Sequence, residues 1–211
     1  MINKNPQQVL LVKNEFRKEV IRKGLHLLIG FLPLIAFHSY LAAYSLLLTG
    51  ALIYTMSEMI RIHLIRGIRG KKFFPYKTIR GISLFVSRPG EAEHFIIAPL
   101  TLAAGAGLTL FLFPEKAMRA GIFALAFGDT AAALAGKFLF QNNRNKYGVK
   151  TITGTAACFI TSTFCVMLVV NDWVISIAAG LAASLCEMTT LKDFDNILVP
   201  LGTAAVVLLM S

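Results

Sequence analysis

From Leu27 to Met56 the chain carries no Lys, Arg, Asp or Glu. At 1.5 Å per residue one straight helix over that run would reach about 45 Å, longer than a ~30 Å hydrocarbon core. The pattern therefore predicts two spans, 24–38 and 40–58, parted at His38-Ser39. Further apolar runs predict spans at 94–113, 117–137, 152–170, 173–190 and 195–210, seven in all. Within 117–137, Ala120, Ala124, Gly128, Ala132 and Gly136 recur every four residues. Such a ridge of small residues lets a neighbouring helix approach closely. Asp129 lies beside it, so its side chain is expected to face protein rather than lipid. The expected fold is all-α: a polytopic membrane helical bundle of about seven transmembrane helices, forming one integral membrane domain over 1–211.

The polar segments set the orientation. Residues 1–23 form a polar head whose Glu15–Lys23 stretch reads as an amphipathic helix on the membrane surface. The 61–93 segment mixes Ile, Phe and Tyr with Arg and Lys, as an interfacial helix or hairpin would, although a purely topogenic charge block fits equally. A basic loop covers 138–151. With seven spans, the head, the 61–93 segment, the 138–151 loop and the 188–194 loop share one side. Every Lys and Arg except Lys116 and Arg119 then falls there. That is the cytoplasmic side by the positive-inside rule, whereas six spans would divide the two basic blocks.

Composition agrees. The chain of 211 residues is 56% hydrophobic and only 15% charged, with a mean hydropathy of +0.67. Soluble domains carry about 25% charged residues, so a multi-pass integral membrane protein is the expected class, in the inner membrane if the cell is bacterial. The net charge of +10 sits in a few blocks, which suits anionic membrane lipid and phosphate rather than nucleic acid. Cys158, Cys165 and Cys186 lie in apolar runs without metal-ligand spacing and read as small buried hydrophobes. The first 23 residues are polar and no small-residue cleavage site follows the first apolar run, so no removable leader is expected.

An ionisable residue within a membrane-grade segment is costly and marks a functional site by default. Asp129 is such a residue. The seven-span orientation brings Arg22, Lys23, His26, Glu58, Arg61, Lys150, Thr151, Thr155, Glu187, Asp195 and Asn196 to the same cytoplasmic half. Acidic groups beside basic ones at a membrane surface suit a Mg²⁺-nucleotide: carboxylates and phosphates hold the metal while Lys and Arg neutralise phosphate. Mg²⁺ takes one or two protein carboxylates, so Asp129 with one partner would suffice. No G-x-x-x-x-G-K-[ST] occurs, which excludes a P-loop. Plainer roles stand beside these. Thr151 and Thr155 could cap or pack a helix, His26 could be interfacial, and Glu58 and Arg61 at i, i+3 could pair with each other. These residues by themselves give a membrane enzyme or transporter acting on a phosphate-bearing ligand.

Three motifs in order add a resemblance: E-V-I-R-K-G-L-H (Glu19–His26), G-D-T-A-A-A-L-A-G-K (Gly128–Lys137) with K-T-I-T-G-T (Lys150–Thr155), and E-M-T-T-L-K-D-F-D-N-I-L-V-P-L (Glu187–Leu201). Together they resemble the polyprenol kinase family of dolichol kinases, phytol kinases and CTP-dependent diacylglycerol kinases, and more distantly phosphatidate cytidylyltransferases. The resemblance implies phosphoryl transfer from a nucleoside triphosphate, with CTP favoured, to the hydroxyl of a lipid alcohol. It implies catalytic roles for Asp129, Asp195 and His26, and a Mg²⁺ ion on Asp129, Asp195 and Glu187. Nucleotide phosphates would fall to Arg22, Lys23, Lys137, Lys150, Thr151, Gly154, Thr155 and Asn196. Two positions depart from the family pattern: Thr153 stands where Glu is common, and Phe194 where Asp is common. The alternatives are a CTP-dependent cytidylyltransferase and a non-enzymatic transporter of an anionic lipid.

Overall fold

The computed structural model describes residues 20, 22–66, 95–139, 150–189 and 193–211, without the side chains of 63–66, 137–139 and 189. Several expectations lie outside the described residues. They concern the head through residue 19, residues 67–93 of the basic segment, the 140–149 loop with Arg144 and Lys146, Lys192, and the side chain of Lys137.

Among the described residues every regular element is helical. Helix α1 covers residues 22–29 and breaks at Gly30-Phe31. Pro33 then starts α2 (Leu32–His38), its fixed φ and missing N–H costing nothing in a first turn. The expected break after His38 is present. Ser39 is extended at φ −162° and ψ 114°, and its Oγ accepts the Ala42 N–H at 3.2 Å, capping α3 (Tyr40–Arg66).

Helix α4 (Ala98–Leu112) is followed by Pro114 and α5 (Glu115–Phe123). A five-residue π-helical turn, Ala124–Gly128, joins α5 to α6 (Asp129–Leu139). Thr151 caps α7 (Ile152–Val170), which ends at Asn171 in the left-handed region, φ 58°. Asp172 Oδ1 accepts the Val174 N–H at 2.8 Å and so caps α8 (Trp173–Thr189). The last helix, α9 (Asp195–Met210), contains Pro200, which leaves the Asn196 carbonyl without its usual i+4 donor.

Helix α5 and its π-helical continuation form the axis of the packing. On one side Met118 and Ile122 join Leu32, Ala36, Ala43, Leu47 and Leu110 from α2, α3 and α4. On the other, Ala117 and Ala120 meet Val166, Val170, Ala179 and Val207 from α7, α8 and α9. The small-residue ridge lies inside: Ala120 and Ala124 are fully buried and Ala132 is 5% exposed. It continues into the α6–α7 contact, where both helices need residues without a Cβ. A Cβ at Gly128 would collide with Ser162 Oγ, and one at Gly154 would stand 2.8 Å from the Ala132 carbonyl oxygen.

The outward surface is apolar, with Leu41, Phe111, Leu168 and Leu209 each more than two-thirds exposed. A soluble monomer rarely carries such a surface. Among the described residues three helices are long and apolar enough to cross a membrane: Tyr40–Ile62, Glu115–Gly136 and Ile152–Val170. Helices α4, α8 and α9 are apolar but shorter. Their 15 to 17 residues reach only about 22–26 Å. Length and composition thus mark three crossings where the charge pattern predicts seven.

Candidate functional site

Asp129 stands immediately after the π-helical turn. The extra residue in that turn changes the direction in which the following side chains leave the helix, and such turns recur at functional sites. Thr130 Oγ1 donates to the Ala126 carbonyl at 2.6 Å, satisfying one acceptor within the distorted stretch. The Asp129 side chain is 5% exposed and points into the protein, as its place beside the ridge leads one to expect.

Lys23 and His26 reach it from α1, on one face by their i, i+3 spacing. Lys23 Nζ donates to Asp129 Oδ2. His26 Nδ1 lies 2.9 Å from the same oxygen, close enough for an ion pair but not aimed along a hydrogen-bond axis. Lys23 and His26 are almost fully buried, at 4% and 5% exposed. Among the described residues no hydrogen bond reaches Asp129 Oδ1. One oxygen is held and its twin is open. Arg22 is half-buried on the same short helix.

A second cluster forms where α7 begins, α8 ends and α9 begins. Lys150 Nζ lies 2.8 Å from Asp195 Oδ2 and 3.2 Å from Glu187 Oε1, and it also donates to the Glu187 backbone carbonyl. Burial alone would lower the lysine's pKa, but the Asp195 and Glu187 carboxylates outweigh it and raise it above the usual 10.5. The group stays an ammonium. Thr155 Oγ1 donates to Glu187 Oε2 at 3.2 Å. Cys158, one turn further along α7, is buried, its Sγ 3.9 Å from Ser162 Oγ.

Other expected site residues hold structural positions. Thr151 Oγ1 accepts the Gly154 N–H at 3.1 Å, the plain capping role. Gly154 itself is pressed against Ala132. Asn196 is 3% exposed, and its Nδ2 donates to Thr101 Oγ1 at 3.0 Å and the Ala98 carbonyl at 3.3 Å, tying α9 to the start of α4. Glu58 and Arg61 pair bidentately, with Nε to Oε2 at 2.8 Å and Nη2 to Oε1 at 2.5 Å. Glu58 Oε1 also accepts the Ile96 N–H at 2.9 Å. Cys158 is buried, Cys165 and Cys186 half-buried, and none of the three is in a disulfide.

At this point a comparison with known proteins bears on the geometry. The chain is similar to a dolichol kinase. Dolichol kinase EVAN of Arabidopsis thaliana is 30% identical over 128 aligned residues, covering 53% of this chain and 22% of that protein. The chain therefore spans much less than two-thirds of that relative's length. No protein-family model matches the chain. No solved structure matches it. The apolar surface and the long apolar helices mark a membrane protein, and the likeness is to part of a dolichol kinase.

The three acidic residues assigned to a metal do not converge as one set. Asp129 belongs to the Lys23–His26 cluster, while Glu187 and Asp195 share Lys150. No group of three or more His, Cys, Asp or Glu with metal-binding geometry occurs among the described residues. A cage built wholly of protein ligands is thus not what these residues offer. They do fit a Mg²⁺ ion that takes one or two carboxylates and completes its shell with phosphate and water. Glu187 and Asp195 already meet at one cationic centre, which is the donor chemistry such an ion requires.

Two features escaped the sequence reading. The π-helical turn has no local signature, because Ala124–Gly128 reads as ordinary apolar helix. Thr101 lies in an apolar run, and nothing near it in sequence points to Asn196, 95 positions away.

Proposed function

We propose that the chain is a membrane lipid kinase. It transfers a phosphoryl group from a nucleoside triphosphate, CTP favoured, to the hydroxyl of a lipid alcohol such as a polyprenol, a phytol-like alcohol or a diacylglycerol. The observation that carries this reading is the buried Asp129, held on one oxygen by Lys23 and His26 and open on the other. Its neighbour, the Lys150–Glu187–Asp195 cluster, supplies cation and carboxylates together. The likeness to a dolichol kinase supports the reaction class.

In this reading the chain is one membrane domain of seven crossings, amino terminus cytoplasmic, with both clusters in the cytoplasmic half. The basic blocks on that side attract the nucleotide. Phosphoryl transfer needs positioning and charge neutralisation more than covalent chemistry from the protein. Lys150, with Arg22 and Lys137, neutralises phosphate charge. Asp129 Oδ1 accepts the proton of the lipid hydroxyl, and Lys23 and His26 hold the carboxylate in place through Oδ2. Glu187 and Asp195 would hold Mg²⁺, and a bound ion would supply neutralisation of phosphoryl charge. Thr151, Gly154, Thr155 and Asn196 shape the site by capping, packing and orienting rather than through free side chains.

Product analysis tests the reading. Purified protein with labelled CTP or ATP, Mg²⁺ and a panel of lipid alcohols should yield nucleoside diphosphate and a phosphorylated lipid. Pyrophosphate release would indicate a cytidylyltransferase instead. Absence of nucleotide turnover with every lipid would favour an anionic-lipid transporter.

A further inference from the structure

Lys150 takes a position that a phosphate-binding lysine does not need. Three oxygens converge on its Nζ: Asp195 Oδ2 at 2.8 Å, Glu187 Oε1 at 3.2 Å, and the Glu187 backbone carbonyl to which it donates. Asp195 Oδ2 and the Glu187 carbonyl accept its N–H groups, and Glu187 Oε1 adds an ion-pair contact. The carboxylates are otherwise arranged around it. Thr155 Oγ1 holds the second Glu187 oxygen at 3.2 Å, and the Asn196 N–H holds the second Asp195 oxygen at 3.0 Å. The oxygens facing Nζ are therefore aimed at one point. Hard oxygen donors, two of them anionic, around a single cationic centre are also what a divalent cation of the Mg²⁺ type takes. The cluster is partly screened from water, with the side chains of Lys150 24%, Glu187 7% and Asp195 16% exposed.

Two cations cannot share that point. Placing a divalent ion among the same oxygens brings it within a few ångströms of the ammonium, and the repulsion is strong where the dielectric is low. We propose that Lys150 is a resident counter-ion that keeps the seat between Glu187 and Asp195, and that a divalent cation enters this seat only by displacing the ammonium, which thereby becomes free to meet phosphate. The inference rests on the metal–nucleotide reading above and adds an order to it: cation and lysine exchange, so neither the seat nor the phosphate-binding lysine is available until both move. The exchange also keeps the buried Glu187 and the half-buried Asp195 neutralised while the site is empty, which carboxylates so placed require.

The proposal predicts a sign that a plain phosphate-binding lysine does not. Mn²⁺ binding to the purified protein, without nucleotide or lipid, is followed by electron paramagnetic resonance. Lys150→Met should bind Mn²⁺ at least about tenfold more tightly than the wild type, because one unit charge has left the seat. Lys150→Arg, which keeps the charge, should bind as weakly as the wild type. The gain should vanish in Lys150→Met/Asp195→Asn. Equal or weaker binding by Lys150→Met, or an equal gain in Lys150→Arg, overturns the proposal.

A measurement on the wild-type chain covers the case in which Lys150→Met does not fold. Acylation of the Lys150 amine, followed by mass spectrometry, should speed up severalfold when Mn²⁺ is added, as the ammonium is released. A rate that is unchanged or slower overturns the exchange. Neither experiment uses turnover. A chain that shows the exchange but no kinase activity would sink the kinase reading alone, and a kinase without the exchange would sink this inference alone.

Discussion

Two of the ion clusters among the described residues, Glu58–Arg61 and Lys23–His26–Asp129, are built differently. Glu58 and Arg61 are three residues apart on α3, pair bidentately, and are 0% and 2% exposed. Each Glu58 oxygen has an Arg61 donor and Oε1 also holds the Ile96 N–H, so the pair anchors the start of α4. Lys23 and Asp129 are 106 residues apart and meet only because α1 packs beside the π-helical turn. There the Lys23 ammonium and the His26 ring crowd one carboxylate oxygen and leave the other open. A local pair with both carboxylate oxygens held behaves as a fastener. A remote cluster that over-supplies one atom and under-supplies its twin has a polar position left for a ligand, and it keeps a charge where a membrane segment would otherwise shed it.

The largest effect should come from breaking the fastener. Removing one member of a fully buried pair leaves an uncompensated charge, a cost of about 3–5 kcal/mol. Glu58→Met and Arg61→Met should each lower thermal stability by that order, and the double variant should cost less than their sum. Additive losses would show that the two residues do not act as a pair. A smaller loss, about 2 kcal/mol, is expected for Lys23→Met, because His26 still faces Asp129 Oδ2. In an Asp129→Asn background the same change should cost much less. Loss of the same size in both backgrounds would remove Lys23 from the Asp129 cluster. Smallest of the three, Asn196→Ala should cost about 1 kcal/mol through its bonds to Thr101 and Ala98. An unfolding midpoint equal to the wild type would show that tie to be idle.

Much of this contrast could be read from the residues themselves. The break at Ser39 followed from a charge-free run too long for one straight crossing. The ridge from Ala120 to Gly136 followed from its fourfold spacing, and the Glu58–Arg61 pairing from i, i+3 geometry. Thr151 was legible as a cap. These are local rules, and local periodicity carries them. The assembly of Lys150 with Glu187 and Asp195, 37 and 45 residues away, depends on how α7, α8 and α9 pack, which no short window records. The sequence placed them on a common side through charge topology, but not at a common point. The separation of Asp129 from the Glu187–Asp195 pair has the same origin. Charge placement along the chain gives depth in the membrane and says nothing of which helices become neighbours.

The direct test of the functional contrast is phosphoryl transfer per folded molecule, measured side by side for Asp129→Asn and Glu58→Gln with folded fractions taken from size-exclusion profiles. Asp129→Asn should fall to background while Glu58→Gln, though less stable, turns over like the wild type. Retained turnover in Asp129→Asn, or an equal loss in both, would contradict the assignment of the open carboxylate as the working site.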